Sequence, residues 1–436
     1  MKDLTFLPES SLTEEEIIKE ANRCLSCLNP QCVKGCPLPN KIPDFIKQVK
    51  QGDFDSAYKI LKEETILPEI CGTICPHEKQ CQGKCILGIK GTPVKIGAIE
   101  AFTAKKIRES QSEYKQNITS NKYNIACIGS GPASLALALL LSENGYNITI
   151  YEKEEYFGGV LKWGIPSYRL NPKILEDKIE LLRKRGVRFI NKCEINDLSK
   201  LKKEYDAIFI GIGATIPNRS KLEGEDLRGV YFADDFLKSV NLAPLDKQGN
   251  RSFEACGRNV VVVGGGNVAM DVARDAIRLK QVESVTILYR RSENEMPACK
   301  QEIDEAKAEG IRLLTLTNPV RYLGKDGILE QVECAIMELG QPDASGRRRP
   351  IESDKEHVFI KADTAILALG FNNDKTMSEQ NIIEADKWGC FIVDEKRMTS
   401  SEGVYAGGDA VNGADTVVKA MKDGIIAAKA IMEKLR

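Results

Sequence analysis

The sequence contains very little histidine, with only His77 and His357 among its 436 residues. Histidine is the side chain most often used as a general acid or base, so this scarcity disfavours mechanisms that depend on one. Hydride and electron transfer need no such base, because a cofactor supplies the chemistry. The chain also lacks an excess of either charge, since its formal net charge is −1. A surface for nucleic acid or for a membrane face is therefore not predicted.

Long apolar segments are scarce as well. The longest, from 133 to 141, is much shorter than the roughly 20 residues that a helix needs to span a bilayer. The first residues, MKDLTFLPESS, do not show the basic and then apolar profile of a secretory signal. We therefore expect a cytoplasmic protein without a membrane partner. Disulfides are rare in that compartment, and this bears directly on the cysteines.

Cysteine, in contrast, is plentiful, and eight of the fourteen lie in the first fifth of the chain. They form two blocks, which are Cys24, Cys27, Cys32 and Cys36, and then Cys71, Cys75, Cys81 and Cys85. The spacings, C-x2-C-x4-C-x3-C-P and C-x3-C-P-x4-C-x3-C, are close to those that hold [4Fe-4S] clusters. Zinc knuckles prefer C-x2-C repeats and disulfides suit another compartment, so both alternatives fit less well. In ferredoxin-like runs the cysteine before proline ligates the other cluster, so Cys36 is expected to cross over.

The remaining six cysteines are isolated from one another and lie in apolar or mixed contexts. We predict that they are packing residues. They are Cys127, Cys193, Cys256, Cys299, Cys334 and Cys390.

Three regions follow one another along the chain. Residues 1–118 have the pattern of a helical, cysteine-rich domain. Residues 119–250 begin with a strand, a glycine turn, an apolar helix and a second strand, which is a βαβ unit. The same pattern returns within 251–363, and strand and helix patterns resume over 364–436. The sequence therefore predicts an α/β protein with an N-terminal helical domain and two Rossmann-like domains, the second inserted in the first.

The first glycine-rich fingerprint is Gly129-x-Gly131-x-x-Ser134. Its first glycine permits a tight turn, its second lets the backbone approach a pyrophosphate, and its third position must be small for helix and strand to pack. Serine at the third position is a mild departure. Glu152 ends the second strand, where a carboxylate can accept hydrogen bonds from ribose hydroxyls. The alternative is a tight turn that binds no ligand.

The second fingerprint is Gly264-x-Gly266-x-x-Ala269, and its second strand ends in Arg290 and Arg291. An acid at that strand end would repel a 2′-phosphate, whereas arginine can pair with it. The sequence therefore predicts NADP(H) here rather than NAD(H). A solvated arginine pair is the alternative interpretation.

Because the second module is predicted to bind NADP(H), the first is predicted to bind FAD. The C-terminal sequence Gly407-Gly408-Asp409 is expected to form part of that site. An aspartate at a strand end can hold the ribityl–phosphate part of a flavin. Thr416 and Val417 begin a helix whose N-terminus could face the isoalloxazine ring and stabilise negative charge on the reduced flavin. The other residues predicted to bind a dinucleotide are Pro132, Ala133, Gly159, Arg169, Asn267, Val268 and Gly370.

Essentially the whole chain resembles the small (β) subunit of NADPH-dependent glutamate synthase. The same module forms the N-terminal half of dihydropyrimidine dehydrogenase and the large subunit of NADH-dependent ferredoxin:NADP oxidoreductase. The resemblance is carried by ANRCLSC, CVKGCP, ICGTICPHEKQCQGKC, IGAIEAF, GSGPASL, FGGVLKWGIPSYRLNP, GIGATIP, GGGNVAMD, YRRSENEMPA and AGGDAVNGADTVVKAMKDG. Ser134 and the pair Asn218-Arg219 after GATIP depart from the commonest family pattern.

The resemblance implies two [4Fe-4S] clusters with unequal ligation. One cluster would be held by Cys24, Cys27, Cys32 and Cys85. The other would be held by Cys36, Cys75, Cys81 and a non-cysteine ligand, Glu100, from the IGAIEAF helix. Cys71 would then be a bystander. Without the resemblance, Glu100 would be interpreted as a solvated acid on a helix.

These features together predict an electron-input module. NADPH would pass a hydride to FAD, and single electrons would leave through the clusters to a partner, such as a glutamate synthase large subunit. One alternative is a stand-alone or bifurcating ferredoxin- or sulfide-linked NADP oxidoreductase, either homo-oligomeric or paired with a ferredoxin-reductase-like flavoprotein. Another is a non-catalytic assembly subunit. A thioredoxin-reductase-like enzyme would need a C-x-x-C in the NADP(H) module, and none occurs there.

Overall fold

The structure is a computed structural model that describes residues 12–110, 121–243, 251–343 and 346–435. The described residues divide into two compact units. The first in chain order comprises 12–162, 167–216 and 371–435, and the second comprises 163–166 and 217–370. None of the helices in the described ranges has both the length and the apolar character needed to cross a membrane.

The first unit begins with a helical region. Its helices are α1 (Glu14–Asn22), α2 (Gln31–Gly35), α3 (Ile42–Lys50), α4 (Phe54–Lys62), α5 (Pro68–Ile74) and α6 (Ile96–Glu109). Short 3-10 turns lie at His77–Lys79, Gln82–Lys84 and Ile86–Ile89. α1 begins in a capping box, because the Thr13 side chain accepts from the Glu16 amide while Glu16 accepts from the Thr13 amide. Apolar faces of α1, α3, α4 and α6 form one core, against which Cys24, Cys32, Cys36 and Cys85 pack.

A five-stranded parallel sheet in the same unit has the order β16-β4-β1-β2-β3. Its strands are β1 (Asn124–Ile128), β2 (Asn147–Tyr151), β3 (Arg188–Ile190), β4 (Ala207–Ile210) and β16 (Val404–Ala406). The helices of this part are α7 (Pro132–Glu143), α8 (Val160–Trp163), α9 (Pro172–Lys184), α10 (Leu201–Glu204), α14 (Thr376–Asn381), α15 (Asp409–Asn412) and α16 (Val417–Lys434). The small residues Ala133 and Gly424 bring α7 and α16 together, since a Cβ at Gly424 would lie 2.1 Å from the Ala133 carbonyl oxygen.

The second unit holds another five-stranded parallel sheet, in the order β6-β14-β7-β8-β9. Its strands are β6 (Val230–Phe232), β7 (Asn259–Val263), β8 (Ser284–Tyr289), β9 (Arg312–Thr315) and β14 (Thr364–Leu367). Its helices are α11 (Ala233–Asn241), α12 (Asn267–Arg278) and α13 (Lys300–Ala308). An antiparallel sheet is added by β10 (Thr317–Lys325), β11 (Ile328–Pro342), β12 (Arg348–Glu352) and β13 (Val358–Lys361). Two short strands, β5 (Ile216–Pro217) and β15 (Phe371–Asn372), pair with each other.

This architecture is the predicted fold class, a helical domain followed by two α/β modules with one inserted in the other. The inserted unit is larger than the segment 251–363 expected for NADP(H) binding. The reason is that β14 pairs in parallel with both β6 and β7, so that strands on either side of that segment complete its sheet. The helical region and the first parallel sheet, in turn, belong to one compact unit.

Candidate functional site: two cysteine groups and two nucleotide loops

The eight N-terminal cysteines separate into two groups that mix the two sequence blocks. In the first group the Cys32 thiol lies close enough to Cys24 and Cys85 for their charges to interact. Cys27 follows Cys24 in the same loop, in which Ser26 has a φ of 48°. Burial raises the pKa of the Cys32 thiol to about 11, and the Val33 amide donates a hydrogen bond to its sulfur.

The second group contains Cys36, Cys75, Cys81 and Glu100. Cys81 interacts electrostatically with Glu100, Cys75 and Cys36, and Cys36 interacts with Glu100 and Cys75. Cys71 is hydrogen-bonded to Cys75 and lies beside the same group. The structure therefore places Cys85 beside Cys24 and Cys32 of the first block, and Cys36 beside Cys75 and Cys81 of the second. The resemblance implies the same grouping of these side chains.

Glu100 is the most unusual side chain in this region. It is 5% exposed, and its Oε1 atom has no hydrogen-bond partner among the described residues. Burial raises the pKa of this carboxyl to about 8. A buried acceptor without a donor is costly, and it is expected where a metal or ligand completes the site. The side chain is thus not the solvated helix acid that the sequence alone would suggest.

Close helix packing brings Glu100 to the cysteines. Gly72 of α5 lies against α6, since a Cβ there would be 2.4 Å from the Ala101 amide nitrogen. A Cβ at Gly97 would be 2.3 Å from the His77 ring. His77 Nε2 is 3.0 Å from the Cys71 carbonyl oxygen, and burial lowers the pKa of this histidine to about 4. A neutral His77 therefore helps to hold the second cysteine block against α6.

All fourteen cysteines lie in the described ranges, and all are free thiols. The described residues contain no group of three or more His, Cys, Asp or Glu side chains arranged for a single metal ion. The two groups supply cysteine sulfurs and the unsatisfied Glu100 oxygen, and this set of donors fits iron–sulfur clusters.

The first nucleotide loop is built for close backbone approach. Gly129 has a φ of +86°, and a Cβ there would lie 2.5 Å from the Gly211 carbonyl oxygen. Gly131 caps α7 and Pro132 takes its first position. Gly159 has a φ of +56°, and a Cβ there would be 3.0 Å from the Gly131 Cα. Two glycine turns thus meet at the N-terminus of α7, where a pyrophosphate would bind.

Glu152 organises this loop as well as ending β2. Its Oε2 accepts hydrogen bonds from the Ser130 amide, at 2.9 Å, and from Ser130 Oγ, at 2.5 Å. Ser130 Oγ in turn accepts from the Gly158 amide at 3.0 Å. Oε1 accepts from the Glu154 amide at 3.1 Å. No sequence signal pointed to Ser130, because the fingerprint leaves the position between its first two glycines unspecified.

The departure at Ser134 has a local explanation. The side chain is fully buried, and Gly211 provides the space for it, since a Cβ at Gly211 would lie 2.3 Å from Ser134 Oγ. Ser134 Oγ has no hydrogen-bond partner among the described residues. The serine therefore fits the close helix–strand packing that the third fingerprint position requires.

The C-terminal turn depends on an acid that sequence reasoning missed. Asp423 of α16 is 2% exposed and accepts hydrogen bonds from the Gly408 amide, Asn412 Nδ2 and Arg397 Nε at 2.9, 2.6 and 2.7 Å. Gly408 itself has a φ of +70°. Asp423 lies within AGGDAVNGADTVVKAMKDG, one of the stretches that carry the family resemblance. The sequence feature that could have identified it is a single acid on an otherwise apolar helix face.

Asp409 follows this turn, and burial raises the pKa of its carboxyl to about 7. The neighbouring acids Asp415 and Asp423 add to the effect. Thr416 caps α16, and its buried Oγ1 has no hydrogen-bond partner among the described residues. A partly buried acid and an unsatisfied hydroxyl at a helix N-terminus match the groups expected to face a flavin.

The second nucleotide loop repeats the design of the first. Gly264 has a φ of +145°, and a Cβ there would be 2.4 Å from the Ala368 carbonyl oxygen. Gly266 caps α12, whose first turn contains Asn267, Val268 and the fully buried Ala269. Asn267 Oδ1 accepts from the Cys299 amide at 2.9 Å, which ties the helix start to the following segment.

The two arginines at the end of β8 have different environments. Arg290 is exposed. Arg291 is 5% exposed, and its Nη2 donates to Asp343 Oδ2 at 2.7 Å while its Nε donates to the Arg348 carbonyl oxygen at 2.8 Å. Arg291 is thus paired with a carboxylate of the β11–β12 hairpin, and Arg290 is the arginine of the pair that solvent and ligand can reach.

Two further predicted positions have defined contacts. Gly370 has a φ of +88°, and its carbonyl oxygen accepts from the Asn218 amide at 2.9 Å. Asn218, one of the departures from the family pattern, therefore supports the chain after β14. Arg169 lines a cavity of about 450 Å³ in the first unit, together with Glu69, Thr73, Ala101, Phe102, Lys105, Ser167, Tyr168, Asn171, Pro172 and Ile174.

Two family profiles match the chain. The first, described as dihydropyrimidine dehydrogenase domain II, 4Fe-4S cluster, matches residues 6–112. The second, pyridine nucleotide-disulphide oxidoreductase, matches residues 123–424. Together with the fold, they define the class of protein as a pyridine nucleotide-dependent oxidoreductase with an iron–sulfur domain.

Individual relatives are consistent with this class. The chain is 35% identical to the small chain of NADPH glutamate synthase from Escherichia coli (strain K12), over 97% of this chain and 92% of the relative. It is 35% identical to the NADP(+)-dependent formate dehydrogenase subunit beta of Moorella thermoacetica, over 93% of this chain and 60% of that one. The solved structure of Mycobacterium tuberculosis FprA in complex with NADPH shares the fold, with a TM-score of 0.61 and 20% identity over 72% of this chain and 85% of that chain.

The chain belongs to the glutamate synthase small-chain family. The predicted resemblance is thereby confirmed, as is the prediction of an NAD(P)H-dependent oxidoreductase with FAD and iron–sulfur clusters. Members of this family include subunits of multi-subunit enzymes.

Proposed function

We propose that this protein is the NADPH-oxidising electron-input subunit of a larger enzyme, with two [4Fe-4S] clusters. The observation that carries the proposal is the arrangement of the two mixed groups of ligands in the same compact unit as the first nucleotide loop. Cys24, Cys27, Cys32 and Cys85 would hold one cluster. Cys36, Cys75, Cys81 and Glu100 would hold the other.

The two nucleotide sites would bind FAD and NADPH. Glycine loops and helix N-termini at Gly129–Gly131 and Gly264–Gly266 would bind the two pyrophosphates, and Arg290 would pair with the 2′-phosphate of NADPH. When bound, FAD accepts a hydride and the clusters accept single electrons. NADPH therefore yields NADP⁺, a proton to solvent and two electrons for two one-electron acceptors. The protein groups position the cofactors and tune their electrostatics rather than act as acids or bases.

Three buried side-chain oxygen atoms without hydrogen-bond partners in the described part of the chain support these proposed cofactor sites. Glu100 Oε1, Ser134 Oγ and Thr416 Oγ1 all lack a hydrogen-bond partner within the described ranges. Each lies where the proposal places a cofactor or the helix that binds one. A carboxylate is a harder ligand than a thiolate, so Glu100 would give the second cluster a different potential from the first.

A test of the core proposal is anaerobic rapid mixing of the purified protein with NADPH, followed by absorbance and electron paramagnetic resonance. We expect fast bleaching of the flavin and then signals from two distinct reduced [4Fe-4S] clusters. NADH should react more slowly at equal concentration. A protein that binds flavin but is not bleached by NADPH would instead support the assembly-subunit alternative.

A second candidate concerns the partner rather than the chemistry. The relatives named above belong to glutamate synthase and to a formate dehydrogenase, so the same module serves different partner subunits. The native mass and subunit identity of the complex, purified anaerobically from its source, distinguish the candidates. A large amidotransferase subunit supports glutamate synthase. A homo-oligomer or a small ferredoxin-reductase-like partner supports a ferredoxin- or sulfur-linked NADP oxidoreductase.

A further inference from the structure

Four large apolar side chains are exposed beside the first cysteine group. They are Leu25, Leu28, Ile86 and Ile89, with exposed fractions of 60%, 106%, 50% and 78%. Leu25 and Leu28 each follow a cysteine directly, as does Ile86. Fifteen large hydrophobic residues are exposed in the described part of the chain, and these four fall in two short segments. An exposed apolar patch of this kind usually marks an interaction site.

The two segments that carry these residues are held together. Arg23 donates from Nη1 to the Pro93 carbonyl oxygen at 3.2 Å and from Nη2 to the Thr92 carbonyl oxygen at 2.6 Å. Gly35 lies against the second segment as well, because a Cβ there would be 2.6 Å from the Gln80 carbonyl oxygen. The Cys32 and Cys85 thiols also lie near each other across the same junction. The exposed apolar residues therefore share one region of the surface.

The same two segments are strongly basic. Residues 22–35 and 77–95 contain six lysine or arginine side chains and one acid, Glu78, a net charge of +5 in a chain whose total is −1. Lys34, Lys84 and Lys90 are exposed. Among the acids of α1, Glu14, Glu15 and Glu16 lie at the other end of that helix, away from Cys24. Glu20 lies at the near end and pairs with Arg23 at 2.6 Å, so the excess positive charge of this surface comes from its lysines.

We propose that this surface, the apolar–lysine face, docks an acidic electron-accepting protein or subunit domain. The face is defined by Leu25, Leu28, Ile86, Ile89, Lys34, Lys84 and Lys90. An apolar centre with a charged rim is the usual anatomy of a protein interface, and positive charge on a rim steers a negatively charged partner. Leu25, Leu28 and Ile86 each directly follow a cysteine of the first group, so a partner docked on this face would lie beside the first proposed cluster. This inference rests on the proposed function.

The test measures binding and electron transfer separately, with a small acidic two-cluster ferredoxin as the probe. The dissociation constant is measured between the oxidised holoprotein and oxidised ferredoxin, without NADPH. We expect it to rise about 10-fold in the triple variant K34E/K84E/K90E and in the double variant L28Q/I89Q. Affinity for the wild-type protein should also fall as ionic strength is raised.

Two matched variants serve as controls. K200E/K202E/K203E reverses three exposed lysines, of which Lys200 is the N-cap residue of α10 and the other two lie in that helix. I382Q/I392Q replaces exposed isoleucines remote in sequence from the cysteines. Both should bind ferredoxin as the wild-type protein does. All variants should retain their iron and should reduce ferricyanide with NADPH at the wild-type rate, which shows that they fold and accept electrons.

Three results would overturn the inference. The first is a wild-type protein that does not bind ferredoxin. The second is equal binding by the face variants and their controls. The third is a change of oligomeric mass in the face variants alone, which would make the face a contact between two copies of this chain. A failure of the proposed function is distinguishable, because the flavin would then not be bleached by NADPH whatever the binding result.

Discussion

At the scale of single residues, environment separates side chains that look equivalent in the sequence. Arg290 and Arg291 are neighbours of the same type, yet one is exposed and the other is buried against Asp343. Glu100 and Glu109 lie on the same helix, yet only Glu100 is buried. Their chemical roles follow from these differences in burial and pairing.

Replacing Glu100 tests its proposed role as an iron ligand. Glu100→Leu should lose about half of the bound iron, because one cluster would have only three protein ligands. Glu100→Gln should keep the iron, since an amide oxygen can still ligate, but should change the reduced-cluster resonance signal. Iron per polypeptide and electron paramagnetic resonance measure both effects. Glu109→Gln, at an exposed position of the same helix, is the control, and a full iron content in Glu100→Leu would disprove ligation.

The two arginines should respond differently to substitution. Arg290→Gln should raise KM for NADPH about 10- to 100-fold and leave KM for NADH nearly unchanged, because a charged hydrogen bond to phosphate is lost. Arg291→Gln should mainly lower stability, since it leaves Asp343 half-buried without its cation. Steady-state kinetics with both nucleotides and thermal unfolding separate the two cases. Equal effects of Arg290→Gln on both nucleotides would contradict the 2′-phosphate assignment.

Asp409 should make the flavin-free protein sensitive to pH. Its pKa in the folded chain is about 7, raised by burial, whereas an unfolded aspartate titrates near about pH 4. Below about pH 4 this carboxyl is protonated in both the folded and the unfolded chain, and its contribution to stability is complete. As the pH rises from about 4 to 7, the unfolded chain ionises before the folded chain does, so this contribution to the free energy of unfolding is lost. The stability of Asp409→Asn relative to the wild type should accordingly increase from pH 4 to 7. Chemical unfolding of both flavin-free proteins across this range measures the difference, and a constant difference would refute it.

At the scale of elements, each nucleotide loop depends on glycines whose conformation and surroundings both matter. Gly129 combines a positive φ with a neighbouring carbonyl that leaves no room for a side chain. The helices α7 and α16 come together through Ala133 and Gly424, and this packing positions Gly408 beside the loop. The binding surface is therefore assembled from turns at both ends of the first module.

Gly129→Ala should lose FAD, whereas Gly186→Ala should not. Both glycines have a φ of +86°, but nothing lies within 4 Å of a Cβ at Gly186. The backbone strain of about 1 kcal/mol is thus common to both variants, and only Gly129→Ala adds a clash with Gly211. Flavin content after gel filtration and the free energy of unfolding measure the two effects. Flavin retention by Gly129→Ala would show that the loop is not a close-approach site.

At the scale of the whole molecule, the proposed cofactor sites are distributed unequally between two compact units. The helical region and the first parallel sheet share one unit and are linked by partly buried ion pairs. Arg108 of α6 pairs with Glu69 of α5 and, at 2.8 Å, with Asp177 of α9. Lys62 of α4 pairs with Glu143 of α7 at 2.9 Å. The proposed cluster ligands and the first nucleotide loop therefore belong to one unit whose parts are joined by ion pairs.

Removal of the clusters should destabilise this unit selectively. We expect two calorimetric transitions in the holoprotein, of which only one moves to lower temperature after anaerobic oxidation and chelation of the iron. The affinity for FAD should also fall after the iron is removed. Binding to immobilised 2′,5′-ADP should persist, because residues 217–370 belong to the other unit. Arg108→Gln should weaken the effect of cluster loss on FAD affinity. A parallel loss of 2′,5′-ADP binding would contradict this division.

The sequence alone determined the classes of site, because these depend on local spacing and on local backbone conformation. Cysteine spacing predicted clusters, and glycines with small neighbours predicted two nucleotide turns, since both features act over a few residues. The tertiary structure decided which side chains meet. Glu100 and Cys75 come together only because α5 packs on α6, and Arg291 is paired only because the β11–β12 hairpin brings Asp343 to it. Such long-range contacts depend on packing between distant segments, which local sequence patterns do not specify.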